Sequence, residues 1–250
     1  MNWLELLALA AVGLFAGVVN TIAGGGSLIT LPALIFLGLP PTVANGTNRV
    51  GVILQSAVAT EHYRRDDLIE WGLGLRLLIP TSLGAVLGAW LSVDIDEDLF
   101  RRVIGVVMLL MLVAILVRPK RWLEGQKKQP PGHLRYTGPI AFFFIGAYGG
   151  FLQAGVGIFL LAGLVLVHGR DLLRANAVKV LLVAGFTVPP LLIFLWHDLV
   201  QWVPALVLAV GSAVGGWVGA RMTVTWGADF IRWALVAVVA VSASKLLGLW

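Results

Sequence analysis

Apolar runs long enough to cross about 30 Å of hydrocarbon recur along this chain from end to end. They are interrupted by one extended charged stretch, "RPKRWLEGQKKQPPGHLRY" at 118–136. Of the 250 residues, 59% are hydrophobic and only 12% charged, against about 25% charged in a soluble domain. The sequence therefore reads as an all-α, polytopic membrane protein with about 8–10 transmembrane segments. Candidate helices fall near 4–20, 23–38, 42–60, 72–92 and 99–118, then near 137–151, 155–168, 174–195, 201–221 and 229–249.

The formal charge of +5 does not point to a nucleic acid, because the basic residues sit in loops between apolar runs, as positive-inside bias places them. There is no cysteine, which excludes thiolate chemistry and disulfides. The start "MNWLELLALAAVG" lacks a positive leading region and reads as a retained first helix.

The charged stretch divides the chain into a first repeat (1–117), a cytoplasmic linker (118–136) and a second repeat (137–250). At an offset of 131 residues, "DDLIEW" from Asp66 matches "HDLVQW" from His197, and "SLGAVLGAWLSV" from Ser82 matches "AVGGWVGARMTV" from Ala213. Asp98 falls on Asp229, Arg101 on Arg232 and Ala44-Asn45 on Ala175-Asn176. With a two-residue slip, "GLFAG" from Gly13 falls on "GAYGG" from Gly146. Polar matches in register point to an internal duplication.

Charge then predicts orientation. If the repeats are inverted, the loops near 61–70, 118–136, 169–179 and 220–232 all face the cytoplasm. They hold thirteen of the 18 Lys and Arg: Arg64, Arg65, Arg118, Lys120, Arg121, Lys127, Lys128, Arg135, Arg170, Arg174, Lys179, Arg221 and Arg232. A parallel duplication would leave the cytoplasmic loop at 196–202 with no Lys or Arg. The inverted arrangement requires 4–38 and 137–168 each to fold as two arms, fully spanning or re-entrant.

Each repeat interrupts its first apolar stretch. The first break is "NTIAGGGSLITLP", Asn20 to Pro32, with Gly24, Gly25, Gly26 and Ser27 at its centre; the second is "LQAGVGIF", with Gln153, Gly155 and Gly157. Non-helical backbone at membrane depth is tolerated only where protein buries it or a watery cavity receives it, and paired interruptions mark substrate sites near the midplane. The bare N–H groups that open a helix suit an anion, with Ser27, Thr30, Asn20 and Gln153 as further donors. The alternative is that these glycines only let helices approach closely.

The helix after each break is polar for its depth. The first carries Asn45, Thr47, Asn48, Arg49, Gln55 and Ser56, the second Asn176 and Lys179. Intramembrane cations are expensive to bury and are read first as functional, so Arg49 and Lys179 are candidate ligands of a shared anion. The alternative is that both snorkel to the interface. "GAVLGA" from Gly84 and "GGWVGA" from Gly215 read as close-packing patterns. Asp66, Asp67 and Asp198 read as helix N-caps. Trp71, Trp90, Trp122, Trp202 and Trp226 read as interfacial anchors. His62, His133, His168 and His197 lack paired metal-ligand spacing, so neither metal nor cofactor is expected.

The stretch "GLFAGVVNTIAGGGSLITLPALIFLGLPPTVANGTNRVGVILQS", with "GAYGGFLQAGVGIFLLAGLVL" and the small-residue segment from Gly84, resembles the TauE/SafE, or sulfite exporter, family of membrane permeases over essentially the whole chain. The resemblance implies a multi-pass permease of the cell membrane, several of whose relatives are linked to sulfite, sulfonates or other organosulfur anions. The positions that carry it are Gly24, Gly25, Gly26, Asn45, Thr47 and Asn48. The second break departs from the family's more glycine-rich pattern at Gln153, Ala154, Gly155, Val156 and Gly157.

The sequence expectation is a secondary transporter, an exporter of sulfite or an organosulfonate by alternating access, with a passive anion channel as the alternative. Substrate ligands are expected among Asn20, Gly24, Gly25, Gly26, Ser27, Asn45, Thr47, Asn48, Arg49, Gln153, Gly155, Gly157, Asn176 and Lys179. The partners are a small anion and the bilayer, with a homodimer as the oligomer allowed for. No G-x-x-x-x-G-K-S/T motif suggests ATP hydrolysis. An enzyme is not expected, because His and almost every carboxylate lie in loops or at helix ends.

Overall fold

The computed structural model describes residues 1–117 and 134–223. In order these form α1 (Trp3–Ala23), α2 (Ser27–Phe36), α3 (Pro41–Arg65), α4 (Trp71–Val93), α5 (Glu97–Val117), α6 (Leu134–Phe151), α7 (Val156–Leu166), α8 (Leu172–Phe186), α9 (Val188–Trp196) and α10 (Trp202–Met222), with no strand among the described residues. The expected helix at 229–249, the matches at Asp229 and Arg232, most of the linker, and Trp122, Trp226 and His133 lie outside the described residues.

Local chemistry sets the helix starts. Asn2 and Glu5 form a reciprocal capping box on α1, Pro41 opens α3, where its missing N–H costs nothing, and Asp171 caps α8 through the N–H of Arg174. The segment expected as a single helix at 174–195 is divided at Thr187 into α8 and α9. Pro189 and Pro190 cannot donate to the preceding turn. Thr187 stays right-handed, at φ −76° and ψ −19°, so Leu172–Trp196 still runs as one apolar span of 25 residues.

A second expectation is overturned. Asp66 closes α3 as its C-cap, and Asp67 and Asp198 take left-handed φ of 53° and 56°. The N-caps of α4 and α10 are instead Glu70 and Gln201, neither with a side-chain capping bond. A short polar side chain tolerates the left-handed turn that ends a helix, and Asp takes that place here.

These turns recur through the chain. Every described residue with positive φ has a partner 131 residues away: Gly24 with Gly155 (79° and 72°), Gly38 with Gly169 (93° and 64°), and Asp67 with Asp198. The hydrogen bonds around the last pair repeat too. Leu68 N–H donates to Tyr63 O at 3.0 Å, and Leu199 N–H to Phe194 O at 2.9 Å.

Helix packing exchanges between the halves in the same way. α1 lies along α10 and α4 along α6, each pair joining the chain before the linker to the chain after it. The small residues are what allow the approach. A Cβ on Gly215 would stand 2.0 Å from Leu14 O, and one on Gly88 would stand 1.9 Å from Ala147 O, which is the close-packing role the sequence assigned.

Four described helices are long and apolar enough to cross a membrane: Trp3–Ala23, Trp71–Val93, Leu172–Trp196 and Trp202–Met222. Leu75, Ile79, Leu83 and Leu91 of α4 are exposed, as a lipid-facing surface requires. Trp71, Trp90 and Trp202 are exposed near helix ends. At 1.5 Å per residue α2 and α7 are only about 15 Å long, half the hydrocarbon thickness. α3 has 25 residues and is the polar member of the set, burying Asn45, Thr47, Asn48, Arg49, Gln55 and Ser56.

Candidate functional site

α1 stops because Gly24 turns left-handed and its N–H returns to Asn20 O at 2.9 Å. Gly26 N–H then meets the Asn20 side-chain oxygen at 3.3 Å, and Leu28 N–H and Ile29 N–H turn back on Gly25 O and Gly26 O. A Cβ on Gly26 would stand 2.3 Å from Ala16 O, so the start of α2 is pressed against α1. At the second break Gly155 is left-handed and Ile158 N–H turns back on Gly155 O at 3.0 Å. The Tyr148 hydroxyl donates to Ala154 O. The two breaks touch, since a Cβ on Gly24 would stand 2.4 Å from the carbonyl carbon of Gly157.

Two cations stand at the helix ends these breaks create. Arg49 of α3 donates to Gly149 O at 3.2 Å and Gly150 O at 2.5 Å, in the last turn of α6, and its guanidinium carbon lies 4.6 Å from the centre of the Phe194 ring. Asn45 Nδ2 adds a bond of 2.8 Å to Phe151 O. Lys179 of α8 donates to Asn20 O at 3.0 Å and Thr21 O at 2.9 Å, in the last turn of α1.

The last carbonyls of a helix lack intrahelical partners and carry about half a negative charge between them, so a cation is favoured there. Each cation serves the broken helix of the other half. Their side chains are 0% and 1% exposed, which overturns the snorkelling alternative. Neither forms an ion pair among the described residues, and no Asp or Glu is among the buried residues described.

Between α1, α2, α3 and α10 lies a polar recess lined by Asn20, Gly26, Ser27, Thr30, Asn48, Gln55 and Ser212, with room for about one water molecule. Its groups bond to one another. Asn20 Nδ2 donates to Gln55 Oε1 at 2.5 Å, Gln55 Nε2 to Thr21 Oγ1 at 2.7 Å, Thr30 Oγ1 to Asn48 Oδ1 at 2.5 Å, and Asn48 Nδ2 to Ser27 Oγ at 3.0 Å. In the second half Gln153 Nε2 donates to Thr187 Oγ1 at 2.8 Å, repeating the reach of Asn20 to Gln55.

Of the expected ligands, the structure gathers Asn20, Gly26, Ser27 and Asn48 around this recess. Gly24, Gly155 and Gly157 shape the breaks, and buried Gly25 lies between Gly24 and Gly26. Arg49, Lys179 and Asn45 hold helix ends, and Thr47 accepts the Gln201 N–H at 3.0 Å. Asn176 donates to the Tyr63 hydroxyl at 2.9 Å. Arg49 Nε, Asn45 Oδ1, Gln153 Oε1, Asn176 Oδ1 and Ser56 Oγ are buried with no protein partner.

The sequence reading missed Thr21, Tyr63, Thr187 and Ser212. Thr21 and Thr187 carried a signal, as hydroxyls beside a break and beside a proline pair. Ser212 was hidden in a small-residue helix, and Tyr63 in a helix end.

The chain matches the family described as sulfite exporter TauE/SafE over residues 9–246. It is similar to a "probable membrane transporter protein ORF9" of Sinorhizobium sp, 32% identical over 97% of this chain and 93% of the relative. It is 30% identical to the "probable membrane transporter protein YfcA" of Escherichia coli strain K12, covering 94% of this chain and 87% of the relative. It is also 30% identical to a "probable membrane transporter protein" of Haemophilus influenzae, over 98% of this chain and 95% of the relative. No solved structure matches it.

Proposed function

This chain belongs to the sulfite exporter TauE/SafE family of membrane transporters, and from that premise we propose that it moves a small sulfur-containing oxyanion, sulfite or an organosulfonate, out across the cytoplasmic membrane by alternating access. The observation that carries the reading is charge. Arg49 and Lys179 are buried against the helix ends that precede the two breaks, with no buried carboxylate among the described residues. The two helix ends they face return about half a charge each, leaving roughly one net positive charge for a substrate to complete. Membrane interiors keep such charges only where they work, and a small anion is the partner that fits.

The amides and hydroxyls of Asn20, Ser27, Thr30, Asn48 and Gln55 would orient its oxygens. These donors are satisfied by one another here, and the recess is too small for sulfite or a sulfonate group. Binding therefore requires the two halves to part and the side-chain bonds to be exchanged, as alternating access entails. A passive channel would use the same donors without such a cycle.

Proteoliposomes loaded with sulfite, sulfate, thiosulfate or sulfonates test the reading. Saturable uptake with counterflow supports a carrier, and flux without counterflow supports the channel. Arg49→Ala transporting at the parent rate and affinity would remove the proposed site.

A further inference from the structure

Arg49 and Lys179 occupy nearly corresponding places, 130 residues apart in a chain whose turns repeat at 131. Both are buried, both stand about 10–12 Å along their helices from the start, and both hold two carbonyls of the other half's broken helix. They differ in one chemical respect. A guanidinium stays charged under all conditions a protein meets, whereas an ammonium can release its proton.

Few charged groups surround Lys179. α1 carries only Glu5, in its first turn, at the end opposite Asn20. α3 carries Arg49 and Tyr63, both buried, and Glu61, His62, Arg64 and Arg65 in its last turns. α4 carries Arg76, which is exposed, and α7 and α9 carry no ionisable side chain. No carboxylate thus fixes the charge of Lys179.

We propose that Lys179 is the binding site of a coupling proton, so that the anion and a proton cross the membrane together. The inference rests on the transporter reading above. With the ammonium present, Nζ holds α8 to the end of α1 through charge-assisted bonds and the centre keeps the positive charge an anion needs. Release of H⁺ to water leaves a neutral amine whose bonds to Asn20 O and Thr21 O are about half as strong, and the centre loses one charge. Because the proton favours the anion, the anion favours the proton to the same degree, and the two move in one direction. Export against an inward proton gradient then requires the anion's own gradient to be the larger.

The test uses sulfate and ethanesulfonate, anions of strong acids that carry no proton themselves near neutral pH. In proteoliposomes whose only gradient is one pH unit, acid outside, the parent should accumulate ethanesulfonate about tenfold for one proton per anion. In Lys179→Arg whatever exchange remains should be independent of pH and accumulate nothing.

A second measurement needs no substrate. The chain has no cysteine, so Ser27→Cys places a single thiol in the recess. The ratio of its labelling rates in the Lys179 and Lys179→Arg backgrounds, which cancels the thiol's own titration, should change severalfold between pH 6 and pH 9. A flat ratio, or accumulation retained in Lys179→Arg, overturns the proposal. If no anion is transported by the parent the transporter reading fails, and the labelling ratio still decides whether Lys179 binds a proton that moves the recess.

Discussion

Gly24 and Gly157 press backbone against backbone where the two broken helices meet, so closely that a Cβ on Gly157 would stand 2.5 Å from the Gly24 Cα. Gly24 also needs its left-handed φ of 79°, while Gly38, at 93°, has nothing within 4 Å of its Cβ position. Three alanine variants separate conformation from contact. Gly38→Ala should lose about 1–2 kcal/mol from φ alone, and Gly157→Ala about 1–3 kcal/mol from overpacking. Gly24→Ala should lose roughly the sum, about 2–5 kcal/mol. Tryptophan-monitored unfolding in detergent reads the order, and Gly24→Ala melting with Gly38→Ala would mean that the contact carries no energy.

Asn48 joins α3 to α2 beside the recess, accepting from Thr30 Oγ1 and donating to Ser27 Oγ. If it also turns toward the anion, Asn48→Ala removes one hydrogen bond to a charged group, worth about 1.5–3 kcal/mol. The half-saturating concentration should rise by about tenfold to a hundredfold, with less effect on the maximal rate. An unchanged value would exclude the side chain from the substrate.

Much of this was legible in the sequence, because apolar length fixes helices and glycine or proline fixes their ends. Both breaks fell at the glycines expected, and Gly84, Gly88, Gly215 and Gly219 packed as their spacing indicated. Asp67 and Asp198 misled because an aspartate after a helix looks the same whether it starts the next one or turns left-handed to end the last. The division at Thr187 was hidden because its residue stays right-handed inside an apolar run. The partners of Arg49 and Lys179 were not legible at all. They are backbone carbonyls, which have no letter in a sequence, and they lie across the chain's two halves.

Orientation in the membrane has its own test. Inverted repeats put the loop after Val93 outside and the chain after Met222 in the cytoplasm, on the distribution of Lys and Arg. A reporter active only outside should therefore be active when fused after Val93 and silent when fused after Met222. Equal activity at the two sites would mean a parallel duplication.

At the far end of α3 a chain of three hydrogen bonds through a tyrosine hydroxyl joins the halves. Asn176 Nδ2 donates to the Tyr63 hydroxyl at 2.9 Å, Tyr63 donates to Thr223 Oγ1 at 2.8 Å, and Thr223 donates to Gly219 O at 2.8 Å. The donor order follows from Thr223, whose proton is taken by a carbonyl. At the offset of 131 the same places hold Asn45, Phe194 and Ser92, and Phe194 has no hydroxyl with which to close the chain. The Tyr63 end is therefore held by a hydroxyl bridge that the Phe194 end lacks, where Asn45 donates instead to Phe151 O and Thr47 accepts the Gln201 N–H. Tyr63→Phe leaves the buried Asn176 amide without its acceptor, at a cost of about 1–3 kcal/mol, so opening at that end should become about tenfold more frequent. Ser56→Cys, buried two helical turns before Tyr63, reports it, since the chain carries no other thiol. A hydrophilic thiol reagent should label Ser56→Cys about tenfold faster in Tyr63→Phe than in the Tyr63 background, and equal rates would show that the hydroxyl does not hold that end closed.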